Sequence, residues 1–258
     1  MHPAGDSPSN IQGPRSSGTV DREEIAKFTA MAESWWDPQG KFRPLHRLNP
    51  VRVGYIRDRL AARFGRDPLG PRPLAGLTLL DIGCGGGLLA EPLARLGAEV
   101  TGIDAAEKNI RIARLHAEQM GLRITYLPCA AEDLVRTGQR FDAVLAMEVI
   151  EHVADVAAFV AAADRLLKPE GLFFGATLNR TAKSFALAIV GVEYILRWLP
   201  RGTHDWRKFL RPSEFAKALR RQNLAVQELT GVVYNPFQDS FALSRDCDVN
   251  YMLMAAHP

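Results

Sequence analysis

Cysteine is scarce in this chain of 258 residues: Cys84, Cys129 and Cys247 are an odd number without metal-ligand spacing. That excludes a disulfide framework and points to a reducing compartment. No uncharged apolar run reaches the ~18 residues that a membrane-spanning helix needs. Net charge is only +3, so bulk electrostatics give no reason to expect nucleic acid as a partner. Internal repeats are absent. Residues 1–20, rich in Pro, Gly and Ser, have no apolar stretch to bury, which predicts a disordered tail and no secretory signal. What remains, 47% hydrophobic and 24% charged, suits a soluble core of one to two domains.

Residues 21–36 and 51–65 carry helical apolar spacing, separated by a loop at 37–50 dense in Pro, Arg and His. With the linker at 65–76 they form an N-terminal helical cap, residues 21–76. From Leu77 the pattern changes. Continuously apolar strands at 78–83, 99–104, 123–128, 141–147 and 172–179 alternate with helices, two of which close on Gly97 and Gly121. This rhythm predicts an α/β fold with a mostly parallel sheet covered on both faces. Strands at 224–236 and 249–257 bring the number to seven. The stretch between them is too short for a crossover helix, so at least one is antiparallel.

Residues 80–93 read LDIGCGGGLLAEPL. A strand running into glycines and then a helix suggests a bound nucleotide. A dinucleotide fingerprint from Gly83 would need a third glycine where Leu88 stands, and a P-loop would need a lysine that is absent. The motif instead fits a ligand without phosphates: Gly83, Gly85 and Gly87 let backbone pass close to it, and Asp81 is placed to attract an ammonium. Asp104, at the end of the next strand, suits a ribose diol or a helix cap. Glu132 follows the third strand, and Met147 closes the fourth with a soft thioether or a plain core side chain.

AMEVIEHV (146–153) then places Glu148, Glu151 and His152 on one face if the stretch is helical. Three readings stay open. His152 is a general base for a hydroxyl; or Glu148, Glu151 and His152 hold a divalent cation such as Mg, Mn or Zn; or the three side chains only solvate a helix end.

The glycine motif resembles the first motif of class I S-adenosylmethionine-dependent methyltransferases. WWDPQGKFRPLHRLNPVR (35–52) and TLNRTAKSFALAIVGVEYILRWLPRGTHDWRKF (177–209) further resemble the O-methyltransferases of ubiquinone biosynthesis. This resemblance implies a Rossmann-like methyltransferase domain over residues 77–258, S-adenosylmethionine as cofactor, and Arg52 among its ligands. It implies methylation of polyprenyl-catechol intermediates and of 3-demethylubiquinol, and membership of a ubiquinone-biosynthesis complex.

Residues 179–211 form an insertion where a compact sheet needs a short loop. A compact apolar stretch with aromatic residues is flanked and interrupted there by Arg and Lys, a composition that fits a lid, an interfacial membrane element, or both. A polyprenyl substrate would place the protein in the cytoplasm, peripherally on the inner face of the membrane.

Overall fold

A computed structural model describes residues 19, 21, 23, 25–26, 32–186 and 205–258. The tail through residue 18, most of the first expected helix and residues 187–204 of the insertion lie outside that set.

Among the described residues, eight strands form one sheet: β1 (Thr78–Ile82), β2 (Glu99–Ile103), β3 (Thr125–Leu127), β4 (Phe141–Met147), β5 (Leu167–Leu178), β6 (Ala225–Asn235), β7 (Ser240–Ser244) and β8 (Asn250–Ala256). Their order is β3-β2-β1-β4-β5-β8-β6-β7. The first five are parallel, and β8, β6 and β7 continue the sheet by antiparallel pairing. The count is one more than the seven expected. Ser240–Ser244 pairs with β6 at the sheet edge, where a short polar-apolar stretch needs only one neighbour.

Helix α1 (Arg43–Arg63), α2 (Ala90–Arg95) and α3 (Glu107–Gln119) cover one face, where Tyr55, Ile56, Leu60, Leu93 and Ile110 share a core with Leu79, Leu145 and Phe174. α4 (Ala131–Val135), α5 (Val156–Leu166) and α6 (Pro212–Arg221) cover the other, through Leu134, Phe159, Phe215 and Leu219 against Leu80, Val144 and Phe173. Tyr55 meets Phe174 edge-on at 6.0 Å. Asp155 starts α5 by accepting from Ala157 N and Ala158 N.

α1 begins eight residues before the expected helix, inside the segment read as a loop. Pro44 lies in its first turn, where no amide donor is missed, and Pro50 is absorbed within the helix. The helix crosses the glycine turn, and Asn49 Nδ2 donates to Leu88 O at 2.6 Å. Strand order reverses between β1 and β4, the usual place for a ligand in an open α/β sheet.

Candidate active site

The turn after β1 opens a cleft lined by Arg52, Asp81, Gly83, Asp104, Glu132 and Met147, and also by Glu148, Glu151 and His152. Gly83, Gly85 and Gly87 have φ of 71°, 53° and 90°, a region that L side chains avoid. At Gly83 a Cβ would also stand 2.7 Å from Val149 Cγ2. Gly83 N and Cys84 N both donate to Ile103 O, at 2.8 and 3.0 Å, tying the turn to β2.

Asp104 braces the same turn. Its Oδ2 accepts from Gly85 N at 3.0 Å and Asn109 Nδ2 at 3.3 Å, and its Oδ1 from Ala106 N at 2.7 Å. The cap position of α3 is Ala106, so the carboxylate bridges two loops instead of capping the helix directly. Burial raises its pKa despite these donors.

Arg52 and Asp81 are both buried. Arg52 Nε and Nη2 and Asp81 Oδ2 have no hydrogen-bond partner. Arg52 Nη2 lies 2.9 Å from Glu148 Oε1, near enough for an ion pair but not aligned as a hydrogen bond. Buried polar atoms left without hydrogen bonds are costly. A zwitterionic amino acid group, its carboxylate on Arg52 and its ammonium on Asp81, satisfies both. Glu132 accepts through Oε1 from Thr19 Oγ1, while its Oε2 is buried without a partner. Met147 is buried at the end of β4.

The expected helix at 146–153 is not formed. Glu148 has φ of 58°, and only Ile150–His152 makes a 3-10 turn, so the helical stacking of Glu148 over His152 is lost. Glu151 is buried, and its Oε2 accepts from Thr177 Oγ1 at 2.9 Å. Burial, and then the charge of Glu148, push the Glu151 pKa well above the carboxylate range. Among the described residues, no three His, Cys, Asp or Glu side chains are grouped to hold a metal ion. Glu148 Oε1 is paired with Arg52 and Glu151 Oε2 with Thr177, while the two carboxyls also face each other.

Residues 80–175 match the family described as "Methyltransferase domain". A ubiquinone biosynthesis O-methyltransferase of Methylobacterium sp. strain 4-46 is 58% identical, over 93% of this chain and 96% of that protein. The protein of the same description from Paramagnetospirillum magneticum is 59% identical, over 92% and 94%. The chain belongs to the ubiquinone biosynthesis O-methyltransferase family. Its fold is shared with the magnesium protoporphyrin IX methyltransferase of Synechocystis PCC 6803 with bound SAH, at a TM-score of 0.59 and 21% identity over 90% of this chain and 95% of that one.

In this O-methyltransferase Trp35 and Asn109, outside the sequence-based set, also line the cleft. Trp35 lies against Gly85 and Gly86, where a Cβ on either glycine would strike its ring. It donates from Nε1 to Asn109 Oδ1 at 3.0 Å and stacks on Phe42 at 3.7 Å. Asn109 is buried and passes the contact on to Asp104. A polar residue on the inward face of an amphipathic helix was the available signal for Asn109; Trp35 reads in sequence as an ordinary packing residue.

Burial pushes the Asp81 carboxyl up to about 7, with Arg52 pulling it down and Asp104 adding to the rise. An ammonium ligand needs the ionised form. SAH affinity is therefore expected to fall about tenfold from pH 8 to pH 6, because below the pKa binding must first expel a proton. Calorimetry with SAH and with 5′-methylthioadenosine, which lacks the amino acid part, checks this. An equal pH dependence for both ligands would remove Asp81 from the explanation.

Proposed function

We propose that this chain transfers the methyl group of S-adenosylmethionine to a ring hydroxyl of a polyprenyl phenol or quinol. The acceptors are a polyprenyl-catechol intermediate and 3-demethylubiquinol, which becomes ubiquinol. The observation that carries the reading is the set of buried polar atoms without hydrogen bonds on two oppositely charged side chains, Arg52 Nε and Nη2 and Asp81 Oδ2, lining the cleft beside the glycine turn. In this reading residues 21–76 form a cap and residues 77–258 the transfer domain. Arg52 and Asp81 hold the amino acid group, Gly83 lines the cleft beside the donor, Gly85 and Gly87 let the turn close against Trp35 and Tyr126, and Asp104 accepts from the sugar hydroxyls. Glu132 approaches the adenine edge and Met147 packs beside the donor.

His152 removes the acceptor proton, since a phenol with a pKa near ~10 is mostly neutral at physiological pH. The oxygen then attacks the methyl carbon. An O–C bond forms as the C–S bond breaks, and the sulfonium leaves as a neutral thioether. Charge is neutralised in that step, so alignment and exclusion of water are the protein's main contributions. A second reading is supported by the neighbouring carboxyls of Glu148 and Glu151, which together with His152 are the chemistry a divalent cation (Mg, Mn or Zn) requires. Bound to adjacent acceptor oxygens, such a cation would lower their pKa.

The polyprenyl tail calls for a membrane surface, and residues 179–211 suit that contact by composition. Among the described residues, no helix is long and apolar enough to cross a membrane. Phe185, at the start of the insertion, is exposed. Placement on the cytoplasmic face fits the same substrate, and membership of a biosynthetic complex fits the family. Substituting Ile195 and Trp198 with charged residues is expected to abolish co-sedimentation with anionic liposomes; unchanged co-sedimentation rejects the contact.

Labelled methyl transfer to a short-chain demethylubiquinol, compared with simple catechols, tests the whole reading. Preference for the prenylated acceptor is expected, and equal turnover of a simple catechol would replace it with a small soluble phenol. Repeating the assay with a chelator separates the two activators: an unchanged rate leaves His152 alone, and a lost rate selects the cation.

A further inference from the structure

Arg52 faces two claims on one guanidinium. In the structure its salt bridge is to Glu148, with Nη2 2.9 Å from Oε1, while Asp81 interacts with it only through its charge, and Nε and Nη2 make no hydrogen bond. The donor site described above asks the same group to hold a carboxylate. Glu148 is suited to give way. Its backbone is fixed, with φ of 58° and the amide donating to Ala176 O at 2.9 Å, so only the side chain has to move. Its carboxyl borders Glu151 and the cleft that His152 lines.

We infer that Arg52 exchanges partners on donor binding: the donor's carboxylate displaces Glu148 from Arg52, and the freed Glu148 carboxyl, already beside Glu151, is left wholly to the acceptor side that His152 lines. A guanidinium pairs better with a carboxylate that reaches it as a two-point fork than with one held off-axis. The exchange makes Glu148 a positioning residue that couples the two halves of the cleft. Until the donor binds, the second carboxyl of the acceptor side stays tied to Arg52. This rests on the donor reading above.

Competition has a signature that a structural role lacks: removing the competitor tightens binding. Glu148→Gln is expected to tighten SAH binding by about fivefold or more, in the range of ordinary site coupling, while slowing methyl transfer. The affinity for 5′-methylthioadenosine, which has no carboxylate, stays unchanged. A double-mutant cycle separates exchange through Arg52 from direct repulsion between Glu148 and the ligand. In an Arg52→Met background, or Arg52→Gln if that variant does not fold, Glu148→Gln is expected to leave SAH affinity within twofold. Tightening of equal size in both backgrounds, or no tightening in the presence of Arg52, overturns the inference. Loss of SAH binding by the unaltered protein would sink the donor reading itself.

Discussion

Replacing His152 with alanine is expected to slow methyl transfer to a demethylubiquinol acceptor by about 10²–10⁴-fold, with SAH affinity held within about twofold. The separation follows from the layout of the cleft. The proposed donor contacts gather on Arg52, Asp81, the glycine turn and Asp104, whereas His152 ends a 3-10 turn beyond β4. Its loss leaves a hydroxyl that ionises only near pH ~10, so the deficit should shrink as the assay pH rises toward that value. A rate within about threefold of the parent at neutral pH would assign activation of the hydroxyl to Glu148 and Glu151. Measuring kcat and SAH affinity on the same preparation keeps a folding defect from imitating a chemical one.

The parallel half of this fold was legible because its strands are buried on both faces and so read as unbroken apolar runs, and because Gly97 and Gly121 punctuate the helices. The glycine turn was legible for a steric reason: three residues at positive φ leave few alternatives to glycine. Glu148 was not. Helical periodicity places it over His152, but β4 runs straight into a residue held at φ of 58°, a conformation imposed by the sheet next to it. The start of α1 was hidden by Pro44 and Pro50, which signal a loop unless the first turn's missing donors are taken into account. β7 was hidden because five residues at a sheet edge carry too little alternation to register. Trp35 shows a further limit. Its ring is written in the sequence, but its contact with Gly85 and Gly86 depends on a tertiary approach that no local pattern encodes.

Asp104→Ala is expected to weaken binding of both SAH and 5′-methylthioadenosine by about 10²-fold or more. Two hydroxyls donating to one ionised acceptor contribute about 1.5–3 kcal/mol each, and both ligands carry the ribose. The substitution also releases Gly85 N, Ala106 N and Asn109 Nδ2, so the turn that shapes the site loosens. Asp104→Asn separates these effects. Its amide oxygen still accepts from one loop, but its amino group faces donors where the carboxylate faced them, so the ribose contact is lost while the bulk is kept. Asp81→Ala is the contrasting case: it should weaken SAH and spare 5′-methylthioadenosine, because only SAH carries the ammonium. If Asp104→Ala left 5′-methylthioadenosine affinity within twofold in a protein of unchanged thermal midpoint, the sugar would not lie against this carboxylate. The glycine turn would then need another ligand.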